Sequence, residues 1–437
     1  MGEVRPLRLI AEVQYMQYMQ YGQDGRARSG AGLAIGACFL VALLEGIDIQ
    51  SMGLAAAGIS AAFGLGPGEL GLALSASLVG LMGGAIVGGR LSDIFGRRAI
   101  LLASIILLGV FSLATIHAPD FNTLLVIRFL AGLGMGGAFP VIVAIAAESA
   151  SAEKKATVVS LVYCGMPIGG ALAGLLASVF MVRHGWQFIF YVGGLGPLLM
   201  LPLLLCLPSD RGQAARSRGA APPALQVLFS RAALGLTLLL WLASLCTLSI
   251  LYLMLNWMPS LMQGKGFSAT QAPLLSMVLN IGAAIGSVAT GWAMDRFPRK
   301  VVLPAVYAGV AAALGLLAAL QGFALVAVAS FLAGFFVLGG QLVLYAISPE
   351  CYDAAGRGTG LGASVAVGRL GAVAGPMLAG MILGAGGSAS TVILAAIPLI
   401  VVGGIASTLV AILARRRSTP QPHPAPGRRA RRSHSRT

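Results

Sequence analysis

Residues 89–98 read "GRLSDIFGRR" and residues 291–300 read "GWAMDRFPRK". Both are charged interruptions in otherwise apolar sequence. They lie 202 residues apart, with Gly89 over Gly291 and Asp93 over Asp295. The same offset brings "FLAG" at Phe129–Gly132 onto "FLAG" at Phe331–Gly334, Glu148 onto Glu350, Lys155 onto Arg357 and Thr157 onto Thr359. One offset through so many landmarks marks an internal duplication.

Working outward, the interruptions sit between long uncharged runs, among them Ile100–Ala118, Thr157–Val182, Val301–Leu320 and Thr391–Ala414. Each is near the roughly 20 residues that a bilayer-spanning helix needs. The whole chain is 57% hydrophobic and 10% charged, with a mean hydropathy of +0.89. A soluble domain carries about 25% charged residues. The pattern predicts an all-α membrane protein with twelve spans near 31–52, 70–92, 99–117, 122–147, 157–182, 187–207, 233–259, 270–294, 301–320, 323–347, 359–384 and 390–414. Six spans per repeat is an even number, so the halves share one topology and are related by an axis along the membrane normal. The expected layout is a cytoplasmic N-terminal tail (1–30), a first six-helix half (31–207), a cytoplasmic linker (208–231), a second half (232–414) and a basic disordered tail (415–437).

Lys and Arg set the orientation. Of 29 such residues, Arg128 and Arg369 lie within spans, and only Arg183 and Lys265 fall in the loops on the side away from the termini. Both termini are therefore expected in the cytoplasm of a bacterial-type inner membrane. This bias accounts for the net charge of +15, and nothing further points to nucleic acid. The polar first 30 residues predict no cleavable signal peptide. "EVQYMQYMQYG" reads as disorder or an overlong start, and "STPQPHPAPGRRARRSHSRT" as a disordered tail. The five cysteines show no CxxC spacing, and His117, His184, His423 and His434 sit in loops or the tail. No metal, cofactor or enzymatic constellation is expected.

The candidate chemistry lies in the few polar groups inside spans. Glu45 and Asp48 share one helix face at i and i+3. A charge at mid-bilayer costs about 2.5–3.5 kcal/mol on insertion scales, and a like neighbour adds repulsion. Protonating one acid relieves both terms, which makes the pair a proton site. Asp48, one turn deeper, is the favoured carrier. Arg369, deep in span 11 between Gly368 and Gly371, is expected to hold a substrate carboxylate or to pair with Asp48; the flanking glycines leave room beside it. Arg128 is an alternative for either role, or a structural partner of Glu45 or Asp48. Tyr252, Asn256 and Trp257 in span 7, with Gln341 and Tyr345 in span 10, suit a flat, mildly polar ligand. Glu148 and Glu350 close spans 4 and 10 and are expected to form gate ion pairs with nearby Lys155 and Arg357.

"GRLSDIFGRR" resembles the loop motif G-x-x-x-D-x-x-G-R-[RK] of the major facilitator superfamily, at the place between spans 2 and 3 where that family has it. The second copy keeps Gly291 and Asp295 but has Pro298 where the glycine would be. "RFLAGLGMGG" resembles the fourth-span R-x-x-x-G-x-G pattern, with Arg128, Gly132 and Gly134. "GMPIGG" at Gly165–Gly170 matches only part of the antiporter motif of span 5. In span 1, Glu45-Gly46-Ile47-Asp48 departs at two positions from the D-G-[FY]-D of aromatic acid:proton symporters. Those departures, with "VYCGMPIGGAL", "NWMP", "GGQLVLYA" and "AVGRLGAVAGP", resemble the 3-(3-hydroxyphenyl)propionate transporters. The resemblance implies a major facilitator fold that rocks about a midplane cavity and takes up a small aromatic acid with a proton. It implies a conformational latch at Gly89, Asp93, Gly96, Arg97, Arg98 and Asp295. Expected partners are that acid, protons and the lipid bilayer, with the chain a monomer. Transport of another organic anion, drug–proton antiport and a non-transporting sensor are the alternatives.

Overall fold

A computed structural model of the chain describes residues 5–151, 153–207, 224–230, 233–353 and 356–418. Twelve helices among them are long and apolar enough to cross a bilayer. They are α1 (Ala31–Phe63), α2 (Pro67–Phe95), α3 (Arg97–His117), α4 (Phe121–Ser149), α5 (Thr157–His184) and α6 (Gln187–Leu205), then α7 (Leu234–Gly264), α8 (Gln271–Arg296), α9 (Arg299–Ala319), α10 (Phe323–Cys351), α11 (Arg357–Gly384) and α12 (Ala389–Ala414). The offset of 202 holds in three dimensions: Arg97, which opens α3, corresponds to Arg299, which opens α9.

Two expectations are corrected. The disorder expected for "EVQYMQYMQYG" is replaced by helix, which starts at Arg5 and runs without a break into α1. Span 1 ends at Phe63 rather than near residue 52. Its glycines are sites of close approach, not stops: a Cβ at Gly53 would collide with the Asn256 carbonyl of α7, and one at Gly58 with the Trp186 side chain. Of the expected linker, 208–223 and 231 lie outside the described residues, as do 419–437 of the expected disordered tail.

Packing repeats with the sequence. In the first half α2 lies against α4 so closely that a Cβ at Gly80 would strike the Phe129 carbonyl, and one at Gly132 the Ser77 carbonyl. In the second half Gly282 meets Phe331 and Gly334 meets Leu279 in the same way. Helices in lipid gain little from the hydrophobic effect, so such close backbone contact carries much of their association.

The halves are joined through α2 with α11, α5 with α8 and α1 with α7. The tight approaches lie toward the membrane face away from the termini. There Gly71 faces Pro376, Gly380 faces Pro67 and Gly174 faces Pro273, and Ser75 Oγ donates to the Val373 carbonyl at 2.9 Å. At the terminus-bearing end, a Cβ at Gly89, Gly291, Gly358 or Gly362 would meet nothing within 4 Å.

Candidate functional site

The two acids of α1 go separate ways. Asp48 points into the first half, where Arg128 of α4 donates to both its oxygens, Nη1 to Oδ1 at 3.3 Å and Nη2 to Oδ2 at 2.9 Å. Ser112 of α3 also donates to Oδ1. Both charged side chains are fully buried, and the Arg128 guanidinium lies 5.4 Å from the centre of the Phe190 ring of α6. A two-pronged guanidinium–carboxylate pair with a third donor is the arrangement that makes a buried charge tolerable. Arg128 thus takes the structural alternative, and Arg369 is not the partner of Asp48.

Glu45 is fully buried too, yet neither carboxylate oxygen has a hydrogen-bond partner among the described residues. The charges that act on it through space are those of Arg369 and of Asp48. Buried polar atoms rarely lack a partner, so this orphan marks α1 where it faces the second half.

Arg369 of α11 stands on the other side of that seam. Its Nη1 donates to Tyr252 Oη at 2.6 Å, and its guanidinium carbon is 5.9 Å from the centre of the same ring. Tyr345 of α10 and Tyr163 of α5 lie within its electrostatic reach, and Gln341 Nε2 donates to Tyr345 Oη at 2.7 Å. The cluster therefore joins Glu45 and Tyr163 of the first half with Tyr252, Gln341, Tyr345 and Arg369 of the second.

Other expectations change. Trp257 is 2% exposed and donates its indole N–H to the Pro376 carbonyl at 2.9 Å, so it fastens α7 to α11 instead of lining a cavity. Asn256 Nδ2 donates to the Tyr252 carbonyl at 2.9 Å within its own helix. The glycines beside Arg369 make room for a helix, not a ligand: a Cβ at Gly371 would strike the Leu245 carbonyl, and one at Gly368 would press on Leu248 at 3.1 Å. Sequence reasoning missed Tyr163, although it stands in the quoted "VYCGMPIGGAL", and it missed the Ser112 and Phe190 contacts.

The charged loop has a definite local cause. Gly96 closes α2 and opens α3 with φ +89°, a left-handed conformation that glycine adopts readily. Its N–H donates to the Ser92 carbonyl at 3.0 Å. The turn aims Arg97 at Glu148 of α4, where the two form an ion pair. Arg98 donates to the Leu205 carbonyl at the end of α6. In the second copy Pro298 takes φ −59°, and Arg299 pairs with Glu350. The acids therefore pair with Arg97 and Arg299, not with Lys155 and Arg357. Neighbours in sequence lost to residues on the adjacent helix because each acid sits at the end of its helix, beside the start of the preceding antiparallel one.

A separate groove of about 470 Å³ between α2, α4 and α11 is lined by apolar side chains including Leu72, Val79, Phe129 and Met377, and it carries none of this chemistry. No group of three or more potential metal ligands occurs among the described residues.

The profile of the Major Facilitator Superfamily matches residues 38–311 and 261–436. The chain is 43% identical over 390 residues to the 3-(3-hydroxy-phenyl)propionate transporter of Escherichia coli K12, covering 89% of this chain and 96% of that protein. It is 34% identical over 384 residues to the 4-hydroxybenzoate transporter PcaK of Pseudomonas aeruginosa, covering 80% and 85%. Among solved structures, the D-xylose-proton symporter superposes with a TM-score of 0.68 at 18% identity, over 87% of this chain and 96% of that one. A bacterial homologue of the lysosomal transporter Spinster, in an inward-facing and unoccupied conformation, gives 0.69 at 18% identity, over 89% and 98%.

Proposed function

The chain belongs to the major facilitator superfamily, and from that premise we propose that it imports a small aromatic carboxylate of the hydroxyphenylpropionate type together with a proton. One observation carries the reading: an arginine surrounded by tyrosines acts across the seam between the halves on a buried acid that has no hydrogen-bond partner among the described residues. A guanidinium can grip a carboxylate with two parallel hydrogen bonds. Tyr252, Tyr163 and Tyr345 offer flat apolar faces for a ring, and the Gln341–Tyr345 pair offers polar atoms for a ring hydroxyl.

Glu45, not Asp48, is the proton carrier in this reading. Asp48 already has three donors and a matched charge, so a proton placed there would dismantle a buried pair. A proton placed on Glu45 removes an unmatched buried charge. The bias of Lys and Arg toward the terminus-bearing side puts both termini in the cytoplasm. Joined at the far face and open near the termini, the carrier then faces inward, and rocking of one half on the other exposes the cluster to the opposite side. The Arg97–Glu148 and Arg299–Glu350 pairs hold each half's helix ends together as the halves separate. The chain works as a monomer, since both halves of the site come from one chain.

The test is uptake of labelled 3-(3-hydroxyphenyl)propionate by cells expressing the protein. Accumulation above the external concentration that collapses with a proton uncoupler is expected. Accumulation indifferent to the uncoupler contradicts proton coupling, and no uptake of this or related aromatic acids contradicts the substrate class.

A further inference from the structure

The central cluster holds one cation and one free acid, and that balance has a consequence for coupling. Glu45 feels the charges of Asp48 on its own helix and of Arg369 on α11; Tyr163 of α5, Tyr252 of α7 and Tyr345 of α10 gather around Arg369, and Arg128 of α4 is held by Asp48. α6 carries no charged residue, and its Tyr191 is exposed. Arg128 and Asp48 neutralise each other inside the first half. What is left is Glu45 against Arg369, a balanced pair without a direct hydrogen bond, in which, among the described residues, Glu45 has no hydrogen-bond partner and Arg369 donates to the neutral phenol of Tyr252. A monoanionic acid arriving at Arg369 leaves the pocket with one unmatched negative charge in a low-dielectric setting. One proton on Glu45 restores the balance.

Resting on the function proposed above, we infer that Glu45 and the substrate carboxylate are alternative counter-charges for Arg369, so that each acid binds with one proton and crosses as an electroneutral pair. The step balances. One proton from the outer solution bonds to a Glu45 oxygen, the substrate carboxylate replaces Glu45 as the anion facing Arg369, and both proton and acid leave on the cytoplasmic side. No bond within the substrate changes. The pair also accounts for two acids on one turn of α1: Asp48 fixes Arg128, and Glu45 is left free to exchange.

The experiment measures binding of 3-(3-hydroxyphenyl)propionate and of its neutral amide to the purified full chain between about pH 5.5 and 8.5, where a carboxylic acid of ordinary pKa, about 4, stays ionised. In the wild type the affinity for the acid should fall up to tenfold for each pH unit above the titration of Glu45, while the affinity for the amide stays level. Glu45→Gln, a permanently neutral isostere, should bind the acid at every pH as tightly as the wild type does at the acid limit, and this binding also reports that the variant is folded. A Glu45→Gln protein that keeps the wild-type slope overturns the exchange while leaving the substrate reading intact. An amide with the same slope as the acid overturns it as well, because the pH dependence would then not act through the carboxylate. A wild type that binds no aromatic acid at any pH overturns the substrate reading and the exchange together.

Discussion

The two halves share a frame and differ in their charges. At positions 202 apart, Arg97–Glu148 and Arg299–Glu350 are the same ion pair, and the glycine seams of α2 with α4 and α8 with α10 are the same seam. At the same offset, Asp48 of the first half becomes Ile250, Arg128 becomes Ser330 and Glu45 becomes Thr247. Ser330 donates to a carbonyl of its own helix at 2.6 Å, and Thr247 shares a hydrogen bond with Tyr307 at 2.7 Å. The second half is thus neutral where the first is ionic, while it supplies most of the polar and aromatic groups around Arg369. The duplicated halves are similar bodies in which the first carries the buried acids of α1 and the second most of the aromatic groups around Arg369.

The largest effect is expected where the first half is made to resemble the second by only one residue. Asp48→Ile leaves Arg128 buried without a counter-charge, which costs about 3–5 kcal/mol. Thermal unfolding in detergent should show a steep loss of stability for Asp48→Ile and for Arg128→Ser. The double variant, which copies the second half's residues at both positions, should be less destabilised than either single change. A loss in the double equal to the sum of the two single losses would mean that the pair is not a coupled unit.

Next comes the second half's own charge. Arg369→Lys keeps the charge and loses the fork, so affinity for an aromatic acid should fall by about 1.5–3 kcal/mol. Arg369→Ala should also lose the preference for an acid over its amide, as read by competition binding. If that preference survives, the carboxylate is held elsewhere.

Smaller effects follow at the duplicated ion pairs, whose side chains are partly exposed. Arg97→Gln and Arg299→Gln should each cost no more than about 1 kcal/mol of stability, while slowing transport with little change in substrate affinity. A large loss of affinity in either would place the pair in the binding site. The smallest effect is at the start of α4. Asp120 caps that helix by accepting from the Thr123 N–H at 2.9 Å, and this bond, with one from the Thr123 hydroxyl, holds its carboxyl below the usual range. A lowered carboxylate pKa contributes stability above the unfolded value and loses it as pH falls through the folded one. Asp120→Ala should therefore lower the melting temperature slightly at neutral pH, and the gap from wild type should close on acidification.

Most of the frame was legible because hydropathy and duplication are strong signals over long segments. Each of the twelve apolar runs is a helix, and apart from the end of α1 each lies within a few residues of its expected bounds. α1 runs past its expected end near residue 52 to Phe63, and the glycines of "GLAAAGISAAF" are explained by contact with Asn256 and Trp186, which lie far away in sequence. Buried acids and arginines could be recognised one by one, since each is costly in an apolar span. Their pairing could not, because it depends on which helices become neighbours. Asp48 therefore went to Arg128 rather than Arg369, and Glu148 to Arg97 rather than Lys155. Trp257 shows the limit from the other side: an indole on the same helix as Tyr252 has its N–H committed to Pro376, and nothing in "NWMP" distinguishes that from a ligand contact.

The division of labour between the halves is tested most directly in proteoliposomes, by comparing wild type with Glu45→Gln in two modes. One mode is accumulation of labelled aromatic acid driven by an imposed inward proton gradient. The other is exchange of labelled for unlabelled acid with no gradient. The wild type should perform both. Glu45→Gln should lose gradient-driven accumulation and keep exchange, because the arginine and its tyrosines remain while the proton carrier is gone. Uphill accumulation by Glu45→Gln at the wild-type level would contradict the account and return the proton to another group, with Asp48 the first to examine.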